Sequence, residues 1–258
     1  MTTDEILLTD LEASVFSITL NRPKVNAFSF ELIAALQSAL KQADRNDQAR
    51  CVLLKGAGGN FSAGQDVNVF LQAEDISYRE HLLRTYNPLI LQIRRLEKPV
   101  LAALNGAVSG AALGIALACD LRLASDRTRF VVGFGGIGLA PDSAVSLLLP
   151  ALIGLGRAAE FTFSNAPISA EQALAWGLVN RVVPADQLDQ QATIIARMLA
   201  QGPVQAMGLA KRAFNKAILW NLEQVLDYEG YLQDIASKSR EHKEGVKAFL
   251  EKRPPKFF

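Results

Sequence analysis

The stretch that decides the fold runs from Lys98 to Asp120 and reads KPVLAALNGAVSGAALGIALACD. Residues Pro99–Leu104 have the pattern of a short buried strand, and Ala111–Ala118 has the pattern of a helix that follows a turn. A strand that leads through small residues into a helix leaves free backbone N–H groups, and the helix dipole adds positive potential there. Such a place can hold an oxygen that becomes negative during a reaction. The surrounding sequence has no Ser-His-Asp set, metal cluster or phosphate-loop lysine, which favours chemistry on a carbonyl carried by the substrate.

Composition excludes several classes of protein. The chain has 258 residues, 50% of them hydrophobic, and a formal net charge of +1, which argues against nucleic acid as the main partner. Cys51 and Cys119 lie in apolar runs and are expected to be reduced core residues. The first residues, MTTDEILLTD, lack an apolar signal core, and no run reaches the about 18 apolar residues of a membrane span. The sequence therefore predicts a soluble, cytoplasmic protein with no membrane partner.

Strand and helix patterns alternate along most of the chain and give way to helices alone near its end. This division predicts an α/β body, residues 1–195, and a helical C-terminal region, residues 196–258. Apolar positions in that region, such as Leu222, Val225, Leu226 and Leu232, exceed what an isolated surface helix needs, so we expect them to pack on other subunits.

Two glycine-rich loops each follow a buried strand, Phe61–Asp66 after Cys51–Lys55 and Asn105–Ala111 after Pro99–Leu104. If the two strands are neighbours, the loops lie at one sheet edge, and one N–H from each can converge on one oxygen. The alternative is a pair of ordinary turns with glycine at positive φ. A third pattern, G-x-G-x-x-G at Gly133–Gly138, does not open a helix directly, which argues against a dinucleotide site.

Asp142 is the carboxylate of greatest interest, because it lies between glycine-rich backbone and an apolar helix with no basic residue nearby. A carboxylate in such a setting has a raised pKa and can exchange protons near neutral pH. The alternative is a helix N-cap, a position that Asp favours. His81 and His242 lie in charged helical stretches, which predicts two solvated surface residues.

Five ordered segments resemble the crotonase superfamily, the enoyl-CoA hydratases and isomerases: NRPKVNAF, FSAGQDV, KPVLAALNG…ACDLRLAS, ISAEQALAWGLVNRVV and EGVKAFLEKR. The resemblance runs from about Val15 to Phe257. It implies an α/β spiral of ββα turns with an all-helical C-terminal region, assembled as a homotrimer or homohexamer. It also implies an acyl-CoA substrate, with CoA as part of that substrate and no separate cofactor or metal.

The resemblance assigns roles to individual positions. The thioester oxygen is expected to bind the backbone N–H groups of Gln65 and Ala111. Positions that hold the adenine and ribose of CoA correspond to Lys24, Val25, Ala27, Ala63, Asp66 and Val67. Tail positions that reach CoA, often across a subunit boundary, correspond to Phe249 and Lys252.

Some residues differ from those of the family's hydratases at catalytic positions, and these differences determine which function we predict. The two glutamates with which the family's hydratases add water correspond to Gly114 and Phe134, neither of which transfers protons. The position of Asp142 corresponds to that of the carboxylate used by dienoyl-CoA isomerases and by the ring-opening isomerases of phenylacetyl-CoA breakdown. The ring-opening isomerases also share the surrounding pattern G-L-x-P-D-S. We therefore expect an acyl-CoA isomerase that shifts a double bond or opens a ring through Asp142. The alternatives are an enoyl-CoA hydratase with relocated acid–base groups and a non-catalytic acyl-CoA-binding subunit.

Overall fold

The structure is a computed structural model that describes residues 5–68 and 77–258. In chain order its strands are β1 (Leu7–Glu12), β2 (Val15–Leu20), β3 (Cys51–Gly56), β4 (Val100–Leu104), β5 (Ala107–Ser109), β6 (Leu121–Ser125), β7 (Arg129–Val131), β8 (Ile168–Ser169) and β9 (Arg181–Val183). They form a larger sheet of order β1-β2-β3-β4-β6-β9 and a smaller sheet of order β5-β7-β8.

Helices fill the intervals between strands and make up the C-terminal part of the chain. They are α1 (Phe30–Arg45), α2 (Tyr78–Arg84), α3 (Tyr86–Arg95), α4 (Ala111–Ala118), α5 (Val145–Ile153), α6 (Leu155–Ser164), α7 (Ala170–Trp176), α8 (Leu188–Gln201), α9 (Val204–Ile218), α10 (Leu222–Ala236) and α11 (Arg240–Leu250). Short 3-10 turns lie at Gly135–Ile137 and Ala185–Gln187. None of the helices described is long and apolar enough to span a membrane.

The larger sheet is parallel except for β1, and both of its faces are covered. Residues of β3 alternate between two cores: Val52 and Leu54 belong to the main core, whereas Cys51 and Leu53 meet α8 on the other face. Strands buried on both faces consist of continuous apolar runs, which explains the sequence CVLL. Cys51 and Cys119 are free and buried, as expected.

The smaller sheet makes the chain a spiral. After β4 and β6 on the larger sheet, the chain adds β5 and β7 to the smaller one. Parallel bridges from Phe28 to Gln65 and from Ser62 to Val108 extend the smaller sheet beyond β5. Because β3 and β4 are hydrogen-bonded neighbours, the loops that follow them meet at one edge of the larger sheet.

Two expectations about the helices are wrong in detail. The sequence from Tyr78 to Arg95, which ends before Lys98-Pro99, predicts one long helix. The structure has two helices there, because the backbone of Thr85 leaves the helical region (φ −117°, ψ −82°) and its hydroxyl donates to the His81 carbonyl. Leu222 and Leu226 of α10 are buried within their own chain, since α10 packs on α2 and α3, and therefore do not form a subunit interface.

Candidate active site

A cavity of ≈ 310 Å³ brings the three predicted catalytic positions together, with Gln65, Ala111 and Asp142 all in its wall. Among the described residues that line it, Asp142 carries the single carboxyl group. The remaining wall is formed by Ala63, Val67, Tyr78, His81, Leu82, Tyr86, Ser109, Gly110, Val131, Gly133, Phe134, Gly136, Ile137, Leu139, Asn165 and Phe249. Most of these side chains are apolar, as is usual for a small-molecule site.

The two glycine-rich loops touch where the predicted oxygen-binding N–H groups lie. Gly64 has φ +89°, and a Cβ built on it would lie 2.6 Å from the Ser109 carbonyl oxygen and 3.7 Å from the Ala111 nitrogen. Only glycine permits this approach. Within residues 5–68 and 77–258, neither the Gln65 N–H nor the Ala111 N–H donates a hydrogen bond to the protein. The geometry favours a shared oxygen site over a pair of unrelated turns.

The side chain of Gln65 fixes the first of these loops. Its Oε1 accepts hydrogen bonds from the Tyr86 hydroxyl (2.7 Å) and from His81 Nε2 (3.0 Å). Its Nε2 donates to the carbonyl oxygens of Phe28 (3.0 Å) and Asp66 (3.2 Å). An amide held on both sides in this way restrains the backbone that carries the Gln65 N–H.

The prediction of a solvated His81 is wrong. The side chain is 4% exposed, lines the cavity, and has its pKa lowered to about 4 because burial disfavours the charged ring. His81 and Leu82 on α2 and Tyr86 on α3 are all buried, and their helix-like spacing in the sequence is the signal that the neighbouring charges conceal.

His242 is also buried and connects α11 to the cavity wall. Its Nδ1 lies 2.7 Å from the Ile137 carbonyl oxygen, and its Nε2 lies 2.9 Å from the Tyr78 hydroxyl. Because a carbonyl oxygen only accepts, Nδ1 carries the proton, and in the neutral ring Nε2 accepts from Tyr78. This residue therefore orders one side of the cavity and is not the surface histidine that the sequence predicts.

Asp142 is a buried carboxylate held by two neutral donors. Its side chain accepts hydrogen bonds from the Ser143 hydroxyl at Oδ1 and from Gln233 Nε2 at Oδ2, each at 2.7 Å. Burial raises the pKa of Asp142 to about 6, although both hydrogen bonds act in the opposite direction. A carboxyl group with this pKa can accept and release protons near neutral pH.

The helix-cap interpretation of Asp142 is wrong. Helix α5 begins at Val145, two residues later than the sequence predicts, and the N–H groups of Ala144 and Ser146 donate to the carboxylate of Glu229. The Asp142 side chain accepts no backbone N–H among the residues described. Glu229 and Gln233 lie on α10, far along the chain, and no local pattern relates them to this site.

Neither position that the resemblance equates with a hydratase glutamate carries an acid, and position 114 has no room for one. A Cβ on Gly114 would lie 2.4 Å from the Ser143 carbonyl oxygen and 2.7 Å from Ser143 Cβ. The segment that carries Asp142 thus fills the space into which a side chain at position 114 would project. Phe134 contributes an apolar ring to the cavity wall.

The residues expected to bind CoA are distributed around the cavity entrance and the surface. Ala63, Val67 and Phe249 line the cavity. The Ala63 N–H donates to the Val25 carbonyl oxygen (3.0 Å), which joins the loop of Lys24, Val25 and Ala27 to the cavity loop. Asp66 forms an ion pair with Arg22 at 2.7 Å, and Lys252 is exposed beyond the end of α11. A contact between these residues and CoA stays a prediction.

Comparison with known proteins agrees with this fold. The family of enoyl-CoA hydratases and isomerases matches residues 10–258. The chain is 40% identical over 259 residues to the 1,2-epoxyphenylacetyl-CoA isomerase of Escherichia coli (strain K12), covering 98% of each protein. It is 37% identical over 241 residues to a probable enoyl-CoA hydratase of Rhodobacter capsulatus, covering 93% of each. A crystal structure of an enoyl-CoA hydratase from Mycobacterium avium subsp. paratuberculosis K-10 superposes with a TM-score of 0.89 at 34% identity, covering 98% of this chain and 99% of that one. The expected crotonase-like spiral is confirmed.

Proposed function

Because the chain belongs to the enoyl-CoA hydratase/isomerase family, we propose that it is an acyl-CoA isomerase that carries a proton on Asp142. One observation supports this proposal above the others. The buried carboxyl group of Asp142, with its pKa raised to about 6, shares a small apolar cavity with two backbone N–H groups that have no acceptor among the described residues.

The chemistry follows from this arrangement. The N–H groups of Gln65 and Ala111 bind the thioester oxygen and stabilise the enolate that forms when a proton leaves a conjugated carbon. Loss of one such donor raises the barrier by about 3 kcal/mol in comparable oxyanion holes. Asp142 removes the proton from one carbon and returns it to another, so the double bond moves and the composition of the substrate stays the same.

Two features favour isomerisation over hydration. Addition of water usually needs two placed acid–base groups, whereas a proton shuttle needs one carboxylate. The cavity supplies that one carboxylate, and Phe134, Ile137 and Leu139 present apolar surface that disfavours a bound water. Hydration through relocated groups is the second candidate, since one relative is named as a probable enoyl-CoA hydratase.

A non-catalytic acyl-CoA-binding subunit is the third candidate and gains least support. Such a protein has no use for a buried carboxylate with a raised pKa, because burial of that group opposes folding at neutral pH.

We also propose a homotrimer or homohexamer, in line with the family resemblance. The exposed side chains of Tyr228, Tyr231 and Ile235 on α10 offer surface for subunit contacts.

We infer the class of substrate from the similarity to the E. coli enzyme. We propose CoA thioesters with an unsaturated or ring-bearing acyl group, including the epoxide of phenylacetyl-CoA that the relative's name specifies. In this proposal the loops of Lys24, Val25 and Ala27 and of Ala63, Asp66 and Val67 hold the adenine and ribose of CoA. Phe249 and Lys252 of the C-terminal region reach CoA as well.

Parallel assays with 3-enoyl-CoA, 2-enoyl-CoA and the ring epoxide of phenylacetyl-CoA test this function, with products identified by mass spectrometry. Isomerisation leaves the mass of the thioester unchanged, whereas hydration adds the mass of one water. We expect an isomer from 3-enoyl-CoA or the ring epoxide. A hydrated product from 2-enoyl-CoA as the dominant activity would favour the second candidate, and tight binding with no turnover would favour the third.

A further inference from the structure

We propose that Glu229 is a positioning residue, which holds the segment from Asp142 to Ser146 so that the Asp142 carboxylate faces the cavity. This inference rests on the proposed role of Asp142 as the proton carrier. Glu229 lies on α10, is 1% exposed and is absent from the cavity wall, so it acts through the segment and not on the substrate.

Both oxygens of Glu229 are engaged by this segment. Oε2 accepts a hydrogen bond from the Ala144 N–H at 2.8 Å. Oε1 accepts from the Ser146 N–H at 3.1 Å and from the Ser146 hydroxyl. A carboxylate from a distant helix therefore binds the first turn of α5, the place where a local Asp or Ser usually acts as the cap.

The segment needs such an anchor because its backbone is strained. Ser143 and Ala144 are consecutive non-glycine residues at φ 56° and φ 63°, in the left-handed region that side chains with a Cβ avoid. Gly114 of α4 packs against the same segment, where its missing side chain leaves space for Ser143. The strained turn is thus held between α4 and α10, and Glu229 supplies the hydrogen bonds.

Helix α10 also contacts the carboxylate of Asp142 directly. Gln233, one helical turn after Glu229, donates to Asp142 Oδ2 at 2.7 Å. Glu229 and Gln233 are four positions apart and therefore lie on one face of α10. Glu229 fixes the backbone after Asp142, and Gln233 fixes the Asp142 side chain. A shift of this segment would move Asp142 relative to the N–H groups of Gln65 and Ala111.

Glu229 and Asp142 also interact as charges. Burial, and the nearby negative charge of Asp142, raise the pKa of Glu229 to about 7. Because the pKa of Asp142 (about 6) is lower than that of Glu229, Asp142 ionises while Glu229 is still largely protonated, and a neutral side chain at position 229 should leave the pKa of Asp142 nearly unchanged. Among the described residues, the hydroxyls of Tyr78 on α2 and Tyr86 on α3 are the other ionisable groups that interact with Asp142.

The test compares E229Q with the matched control E223Q in the full-length protein. Glu223 lies on the same helix, but it is exposed and pairs with Arg95, away from the cavity. In E229Q one oxygen that accepts a backbone N–H becomes a donor, so we expect kcat to fall between about 10- and 100-fold. KM for the CoA thioester should stay within about threefold, because the proposed CoA contacts lie elsewhere, and the acid limb of kcat/KM should stay at its wild-type pH. E223Q should behave as wild type.

Each outcome separates this inference from the proposed function. A folded E229Q with wild-type kcat, alongside an inactive D142N, would overturn the role of Glu229 and leave the proposed function standing. An active D142N would overturn the proposed function itself. If E229Q does not fold, E229D keeps the charge on a shorter side chain, and the same loss of kcat at unchanged KM is expected; wild-type kcat in E229D would contradict the proposal.

Discussion

The amide of Gln233 donates a hydrogen bond to the carboxylate of Asp142 at 2.7 Å, although 91 positions separate the two residues in the chain. Gln233 is fully buried, and its Oε1 has no donor among the described residues. Within the described part of the chain, the Asp142 carboxylate is thus the hydrogen-bond partner that orients this amide. This relationship adjusts the proton affinity of Asp142, because a donor to the ionised form lowers the pKa that burial raises.

Replacement of Gln233 should alter the pH profile before it alters binding. Q233L removes the donor to Asp142, so the pKa of Asp142 should rise above its value of about 6. Since the proposed reaction starts from the ionised carboxylate, the acid limb of kcat/KM should move to higher pH. Q224L, at an exposed position of the same helix, is the control and should keep the wild-type profile. An unchanged acid limb in Q233L would argue that another group controls the profile.

A methyl group at position 114 should displace the strained segment. In G114A the new Cβ would lie 2.4 Å from the Ser143 carbonyl oxygen, so the protein should lose about 1–3 kcal/mol of unfolding free energy together with most of its turnover. G156A is the matched control, because a Cβ on that glycine meets nothing within 4 Å. Denaturant titration and steady-state kinetics measure both effects. Equal stability and activity in the two variants would contradict the packing of Ser143 on Gly114.

Loss of the Tyr86 hydroxyl should loosen the loop that carries the Gln65 N–H. Y86F leaves Gln65 Oε1 with His81 as its remaining donor in the described part of the chain, so we expect kcat to fall about tenfold with little change in stability. Y228F removes an exposed hydroxyl and serves as the control. Wild-type kcat in Y86F would show that Gln65 needs no such support.

Much of the fold could be predicted from the sequence, because long runs of apolar periodicity determine it. The helix Ala111–Ala118 has the predicted bounds, and the strand predicted at Pro99–Leu104 differs by one residue, since it begins at Val100. The smaller sheet could not be predicted, since β5 and β8 contain three and two residues and carry no period of their own.

The candidate site also has features that the sequence predicts and features that it does not. Glycine loops and a lone carboxylate were visible in the sequence, and Gln65, Ala111 and Asp142 line one cavity. Because Asp is a favoured cap, the sequence offers Asp142 as a possible N-cap of α5. In the structure the capping carboxylate belongs to Glu229 on a distant helix. Only tertiary structure brings that residue to the helix start.

Stability should fall as pH rises through the range in which Asp142 loses its proton. Its pKa is raised from 3.8 to about 6 on folding, so the folded state binds the proton more tightly than the unfolded chain. The contribution is present below about pH 4 and is lost as pH rises through about 6, on the order of 3 kcal/mol. Denaturant titrations between pH 4 and pH 8 should show D142N gaining stability relative to wild type as pH rises. The exposed substitution D10N should show no such trend; a parallel curve for D142N would contradict a buried, titrating Asp142.

Turnover by D142N tests the central claim most directly. The new amide can accept from the Ser143 hydroxyl and donate to Gln233 Oε1 after a flip of the Gln233 amide, so the fold and the affinity for CoA thioesters should persist. Isomerisation of 3-enoyl-CoA or of the ring epoxide of phenylacetyl-CoA should nevertheless fall by at least about 100-fold, as expected for loss of a general base. Near-normal isomerisation by a folded D142N would show that another group carries the proton.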